Sequence, residues 1–183
     1  MSATQGEQKR AGGAPAATDR PAPPWRPPPL DGLVPVPTFR DQPATPASDI
    51  SGLDLDGQPV DVALLGSGRW TLLVFLSAGC HGCLPIWEAL GDPVASGLAT
   101  DELVVAVTRD ASVDDPAALR GVSVPGVPVV MSSAAWQAYR VQGPPFFVLV
   151  GPDAAPGSRV ATEGVAWGVA QIADDVRRAR QRA

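Results

Sequence analysis

Two residues in this chain stand at a spacing that can do chemistry. Cys80 and Cys83, its only cysteines, fall in the run Cys80-His81-Gly82-Cys83. Thiols two residues apart can close a disulfide and reopen it. A bridge across so short a loop removes little chain entropy, so it is a poor staple for a fold. The spacing suits thiol–disulfide exchange, in which one thiolate attacks and the second thiol resolves the mixed disulfide. A structural zinc needs four Cys or His ligands. His81 is the only histidine, so the set falls short, and neither a metal nor a cofactor is expected.

Such a pair needs elements that hold it at a surface. The preceding run, Trp70-Thr71-Leu72-Leu73-Val74-Phe75-Leu76, is continuously apolar and predicts a strand buried on both faces. Ser77-Ala78-Gly79 breaks it. Leu84, Trp87 and Leu90 follow at helical spacing, with Pro85 near the first turn, where a missing N–H costs little. Strand, turn, Cys-x-x-Cys and helix place Cys80 at a helix N-terminus, where unpaired N–H groups favour the thiolate. His81, when protonated, would add to that effect, and Gly82 would let the turn tighten without a Cβ clash. Among the tryptophans Trp70, Trp87, Trp136 and Trp167, expected as core or groove walls, Trp87 is the best placed to wall a groove beside the cysteines.

The remaining elements follow in order. Leu53-Asp54-Leu55, Asp56-Gly57 and Pro59-Val60-Asp61-Val62 predict a hairpin, Asp-Gly being a strong turn signal. Leu103 to Thr108 is a second buried strand, and Val127 to Met131 a short one. Asp114-Asp115-Pro116 opens a helix with acids at its start. Ser132 caps another that runs to Tyr139. Phe146 to Val150 is a third strong strand, and residues 159–165 return antiparallel to it. Val169, Ile172, Ala173 and Val176 line one face of a C-terminal helix whose late arginines complement its dipole. The expected fold class is α/β: a three-layer sandwich, its mixed central sheet covered by helices on both faces. Prolines crowd the stretch before Ile50, as in Pro21-Ala22-Pro23-Pro24 and Pro27-Pro28-Pro29. Residues 1–48 are therefore expected to form a disordered tail rich in Pro and Ala, and residues 49–183 the domain.

The chain has 183 residues, 45% of them apolar, and a net charge of −5. That allows one domain with a sizeable core and gives no basic face for nucleic acid. No stretch is long and apolar enough to span a membrane, and Met1 to Arg10 is too polar for a signal peptide. As written, the chain is expected in the cytoplasm as a monomer; a missing upstream anchor would place it outside.

Taken together these residues resemble the thioredoxin-like superfamily from about Ile50 onward, most closely the TlpA, ResA and MauD type of thiol–disulfide oxidoreductase. The resemblance rests on Leu72 to Leu76, Cys80-His81-Gly82-Cys83, Pro85, the Leu55-Asp56-Gly57 turn, and Gly143-Pro144-Pro145-Phe146-Phe147 before the late strand. It implies a cis-proline at Pro145 beside the cysteines, with Pro144 and Pro145 facing substrate. It further implies Cys80 as attacking thiolate and Cys83 as resolving thiol. The partners implied are protein thiols or disulfides and an upstream redox donor, with the direction of electron flow open. The chain departs from thioredoxin in three places. Gly79 replaces the tryptophan before the first cysteine. Val74 replaces the buried acid, for which Glu88 or Asp110 would have to substitute. Pro144 lacks the N–H that would pair with a bound peptide. Two alternatives stay open: a peroxiredoxin-like peroxide reductase of the AhpC/TSA type, with Ser77 in the threonine place but Leu73 where proline belongs, and a redox-inactive binding module.

Overall fold

The computed structural model describes residues 45–92, 95–98 and 101–183. The Pro-rich stretch up to residue 44 lies outside them. Strands β1 (Ile50–Leu53) and β2 (Pro59–Val62) form the expected hairpin. The Asp54 carboxylate accepts N–H bonds from Asp56 and Gln58, and Gly57 takes a left-handed φ of 78°. Next come β3 (Thr71–Phe75), α1 (Leu84–Leu90), β4 (Leu103–Thr108), α2 (Pro116–Val122) and β5 (Val129–Met131). The chain ends with α3 (Ser133–Ala138), β6 (Phe146–Val150), β7 (Thr162–Val165) and α4 (Val169–Arg180). The fifth strand starts two residues later than its apolar pattern suggested, because Pro128 has no N–H for a ladder.

The seven strands form one mixed sheet in the order β2-β1-β5-β4-β3-β6-β7. β3 pairs parallel with β4, and β4 with β5; β6 runs antiparallel to β3 and β7 to β6. Strand β3 therefore lies in the interior of the sheet, beside the central β4, and all five of its residues are buried. Its alternation sorts the core into two layers. Leu72 and Val74 pack with Ile86, Trp87 and Leu90 of α1, Leu119 of α2, and Ile172 and Val176 of α4. Leu73 and Phe75 pack with Ala135 and Trp136 of α3 and with Tyr139. Helices cover both faces, as the apolar runs required.

Two helix starts carry side-chain caps. The Asp115 carboxylate accepts the Ala117 N–H at α2, and the Ser132 hydroxyl accepts the Ala135 N–H at α3. At β1, Gly52 lies so close to the Met131 carbonyl and the Val130 side chain that a Cβ could not be accommodated without movement.

Residues 45–48, read from the sequence as the end of the tail, pack on this domain instead. Thr45 and Ala47 are buried. The Ala47 N–H donates to the Ser158 carbonyl (2.8 Å) and the Val160 N–H to that of Thr45 (3.0 Å). The Tyr139 hydroxyl donates to the Ser48 carbonyl at 2.5 Å. These contacts run mostly through backbone, so Thr45-Pro46-Ala47-Ser48 shows no side-chain periodicity that would reveal them. No helix among the described residues is long and apolar enough to cross a membrane.

Candidate redox site

Strand β3 ends at the sheet's rim and releases the chain into Leu76-Ser77-Ala78-Gly79, after which Cys80 and Cys83 are joined by a disulfide with Cα atoms 5.2 Å apart. The turn is closed by the Cys83 N–H donating to the Cys80 carbonyl (2.9 Å). The two sulfur-bearing residues differ in access. Cys83 is fully buried against Val74 and Trp87, whereas Cys80 is only partly buried; His81 and Gly82 between them are exposed. The helix begins later than the sequence reading placed it. Cys83 is the N-cap of α1, Pro85 stands in its first turn, and Cys80 lies one turn upstream. The backbone dipoles that face Cys80 are thus those of the turn more than those of the helix.

The Pro144–Pro145 peptide bond is cis. A Cβ on Gly82 would sit 3.7 Å from Cδ of Pro145 and 4.0 Å from Sγ of Cys80, so loop, proline and sulfur lie together. Those are ordinary contact distances, so the expected clash is absent and a side chain at position 82 has room. The Pro145 carbonyl accepts the Ala166 N–H (3.0 Å), which ties this loop to the connection between β7 and α4.

Two sequence expectations are corrected here. Trp87, expected to wall a groove, is 1% exposed and belongs to the core, because α1 turns its 87-90 face onto the sheet. Trp167, expected as core or groove wall, is 86% exposed. It follows Ala166, whose N–H reaches the cis-proline loop.

The acid that hydrogen-bonds to the strand exit leading into the redox turn is neither Glu88 nor Asp110. Glu88 is exposed on α1. Asp110 is held below the usual carboxylate range by hydrogen bonds from Ser112 and Ser133, in the loop after β4. Asp114 is buried instead, at 7% exposure. The Ser77 hydroxyl donates to its Oδ1 (2.6 Å), and the Arg109 N–H donates to its Oδ2 (3.0 Å). Ser77 Oγ in turn accepts the Gly79 N–H at 3.3 Å. The sequence held a signal for this residue. Asp114-Asp115-Pro116 offers two acids where one N-cap suffices, and Asp115 is the cap. Arg109, also missed, lays its guanidinium 4.6 Å from the centroid of the Trp136 ring, a cation–π contact.

The sheet order, the helices on both faces and the Cys-x-x-Cys turn beside a cis-proline loop define a thioredoxin-like fold. No protein-family model matches the chain, and no curated protein matches it. Solved structures do match. MTB DsbF, in mixed oxidised and reduced forms, superposes with a TM-score of 0.56 at 19% identity, covering 71% of this chain and 94% of that one. A secreted Mycobacterium tuberculosis disulfide oxidoreductase homologous to E. coli DsbE gives 0.53 at 18% identity, covering 70% and 95%. A thiol:disulfide interchange protein from Bacteroides sp. gives 0.54 at 19%, covering 74% and 88%. At these identities the likeness is one of fold.

Proposed function

We propose that this chain is a thiol–disulfide oxidoreductase acting on protein thiols and disulfides, of the TlpA-like type that its motifs resemble. The observation that carries the reading is the unequal access within one bonded pair: Cys80 is reachable from solvent and Cys83 is not. In the reducing direction the Cys80 thiolate attacks a substrate disulfide. One substrate sulfur leaves as thiolate and takes a proton, and a mixed disulfide remains. Cys83 loses its proton and attacks Cys80, the second substrate sulfur leaves, and two electrons have passed to the substrate. A dithiol reductant restores the pair. Run in reverse, the same steps oxidise a substrate dithiol.

His81 and Gly82 form the exposed rim that meets the substrate. Pro144 offers an approaching peptide a carbonyl but no N–H. Ser77 argues against the peroxidase alternative. A peroxide site needs donors aimed at the oxygen the thiolate attacks, whereas the Ser77 hydroxyl donates its hydrogen bond to Asp114. Leu73, in the place of that family's proline, is buried in the core. A binding module has no use for a second, buried thiol.

The test is the reduction potential of the Cys80–Cys83 pair, read by thiol labelling across dithiothreitol and glutathione buffers. A reversible couple between about −270 mV, the thioredoxin range, and about −120 mV, that of a strong oxidant, is expected, and its position gives the direction. Cys83→Ser should accumulate a mixed disulfide with partner proteins, and Cys80→Ser should not. Failure to form any reversible disulfide would falsify the reading. Fractionation of cells expressing the full chain checks the cytoplasmic station against the extracytoplasmic one, which the secreted fold neighbour supports.

A further inference from the structure

One hollow lies outside the redox loop. It has a volume of about 490 Å³ and lies between the loop after β4 and helix α3, lined among others by Arg109, Val113, Trp136, Arg140 and Gln142. A smaller hollow of about 110 Å³ shares Arg109, Val113 and Trp136 and ends at Ser77 and Pro144. The two form one groove from the end of α3 to the proline that precedes Pro145, whose ring lies beside Gly82 of the redox turn.

The groove's charge runs against that of the whole chain, which is −5. Arg109 lies over Trp136, and neither Arg109 nor Arg140 has a carboxylate within ion-pair distance among the described residues. Arg140 takes a left-handed φ of 54° as the chain leaves α3, its N–H donating to the Gln137 carbonyl (3.1 Å), and it is exposed at the groove's far end. Of the nearby acids, Asp114 also lines the smaller hollow but is buried, its carboxylate accepting from the Ser77 hydroxyl and the Arg109 N–H, and Asp110 is held by Ser112 and Ser133. Two guanidinium groups thus line one groove that ends at Ser77, three residues before Cys80, and at Pro144 of the cis-proline loop. Guanidinium suits carboxylate partners through paired N–H donors.

We propose that this groove binds an acidic segment of the partner protein, flanking the cysteine that Cys80 attacks, with Arg109 and Arg140 as its counter-ions. The inference rests on the thiol–disulfide reading above. It names the substrate class: cysteines followed or preceded by runs of Asp or Glu.

Two short peptides test it, each carrying one cysteine capped as a 2-thiopyridyl disulfide, one with aspartates beside the cysteine and the other with asparagines. The full-length protein is reduced, freed of reductant and mixed with each, and release of 2-thiopyridone gives the rate. The acidic peptide should react about 3- to 10-fold faster at low salt, the size expected of two half-exposed ion pairs. That advantage should shrink as ionic strength rises to about 0.5 M. In the double variant Arg109→Gln, Arg140→Gln the ratio of the two rates should fall to about one. The salt series on the unaltered protein gives the answer even if that variant does not fold. Equal rates for the two peptides, or an advantage that salt leaves untouched, overturns the groove while exchange itself stands. If neither peptide reacts and dithiothreitol cannot open the Cys80–Cys83 bond, the underlying reading falls, and the groove proposal with it.

Discussion

At the scale of single residues, the site turns on who holds the strand's exit. Ser77 joins β3 to the redox turn: its hydroxyl donates a hydrogen bond to Asp114 and accepts one from the Gly79 N–H. Removing the hydroxyl leaves a buried carboxylate with one donor fewer, and an unmade bond to a buried charged group costs more than a made one gains. Ser77→Ala should therefore lower unfolding free energy by about 1–3 kcal/mol in urea titrations, and Ser77→Thr should restore most of it. If Ser77→Ala matched the unaltered protein, the Ser77–Asp114 contact would be incidental. Asp114→Asn should also move the potential of the cysteine pair, since it removes a negative charge close behind the turn that bears Cys80.

At the scale of elements, short helices here depend on their ends. Helices α2 and α3 have seven and six residues, too few to be stable alone. Their capping bonds and the sheet beneath hold them. Asp115→Ala and Ser132→Ala should each cost about 1 kcal/mol. The two caps sit on different helices with no shared partner, so the double variant should show the sum. A smaller combined loss would reveal coupling through the sheet. The hairpin β1–β2, its turn signal plain in Asp56-Gly57, follows the same logic of local chemistry. Helix α1 differs: its start is set by the disulfide loop, and the sequence pattern alone put that start nearer Cys80 than it is.

At the scale of the whole molecule, Arg180 near the C-terminus of α4 reaches back to the entry of β4. It donates to Asp101 (2.6 Å) and Glu102 (2.8 Å), and its guanidinium lies 5.6 Å from the Trp70 ring. The two acids respond oppositely. The hydrogen bond from Arg180 holds Asp101 below the usual carboxylate range. Burial pushes Glu102 up, and Arg180 offsets this without cancelling it. A carboxyl whose folded pKa is raised favours the fold while protonated, and that advantage is lost as pH rises through the folded value. Glu102→Gln should therefore gain stability relative to the unaltered protein on going from acid to neutral pH, as read from melting temperatures across that range. A gap that stayed flat would mean the Arg180 pair fully compensates the burial. Asp101 works the other way: its contribution is present at neutral pH and disappears as pH falls through its depressed value.

Local chemistry written in adjacent residues was determined by the sequence itself. The continuous, β-branched and aromatic run Thr71 to Phe75 pointed to a strand buried on both faces, Asp56-Gly57 to a turn, Ser132 to a cap, and Cys80-His81-Gly82-Cys83 to a pair able to form a disulfide. Each is a short-range statement, settled by periodicity, turn geometry or reach. What needed the tertiary structure is everything that depends on strand order and register. Ser77 and Asp114 are 37 residues apart. They meet because β4 lies parallel beside β3 and delivers the loop after it to the same rim as the redox turn. The same crossover leaves Glu88 and Asp110 to other surroundings, turns Trp87 inward, and brings Arg109 and Arg140 to one groove. No spacing along the chain encodes such neighbours, because they are created only when the buried strands choose their partners.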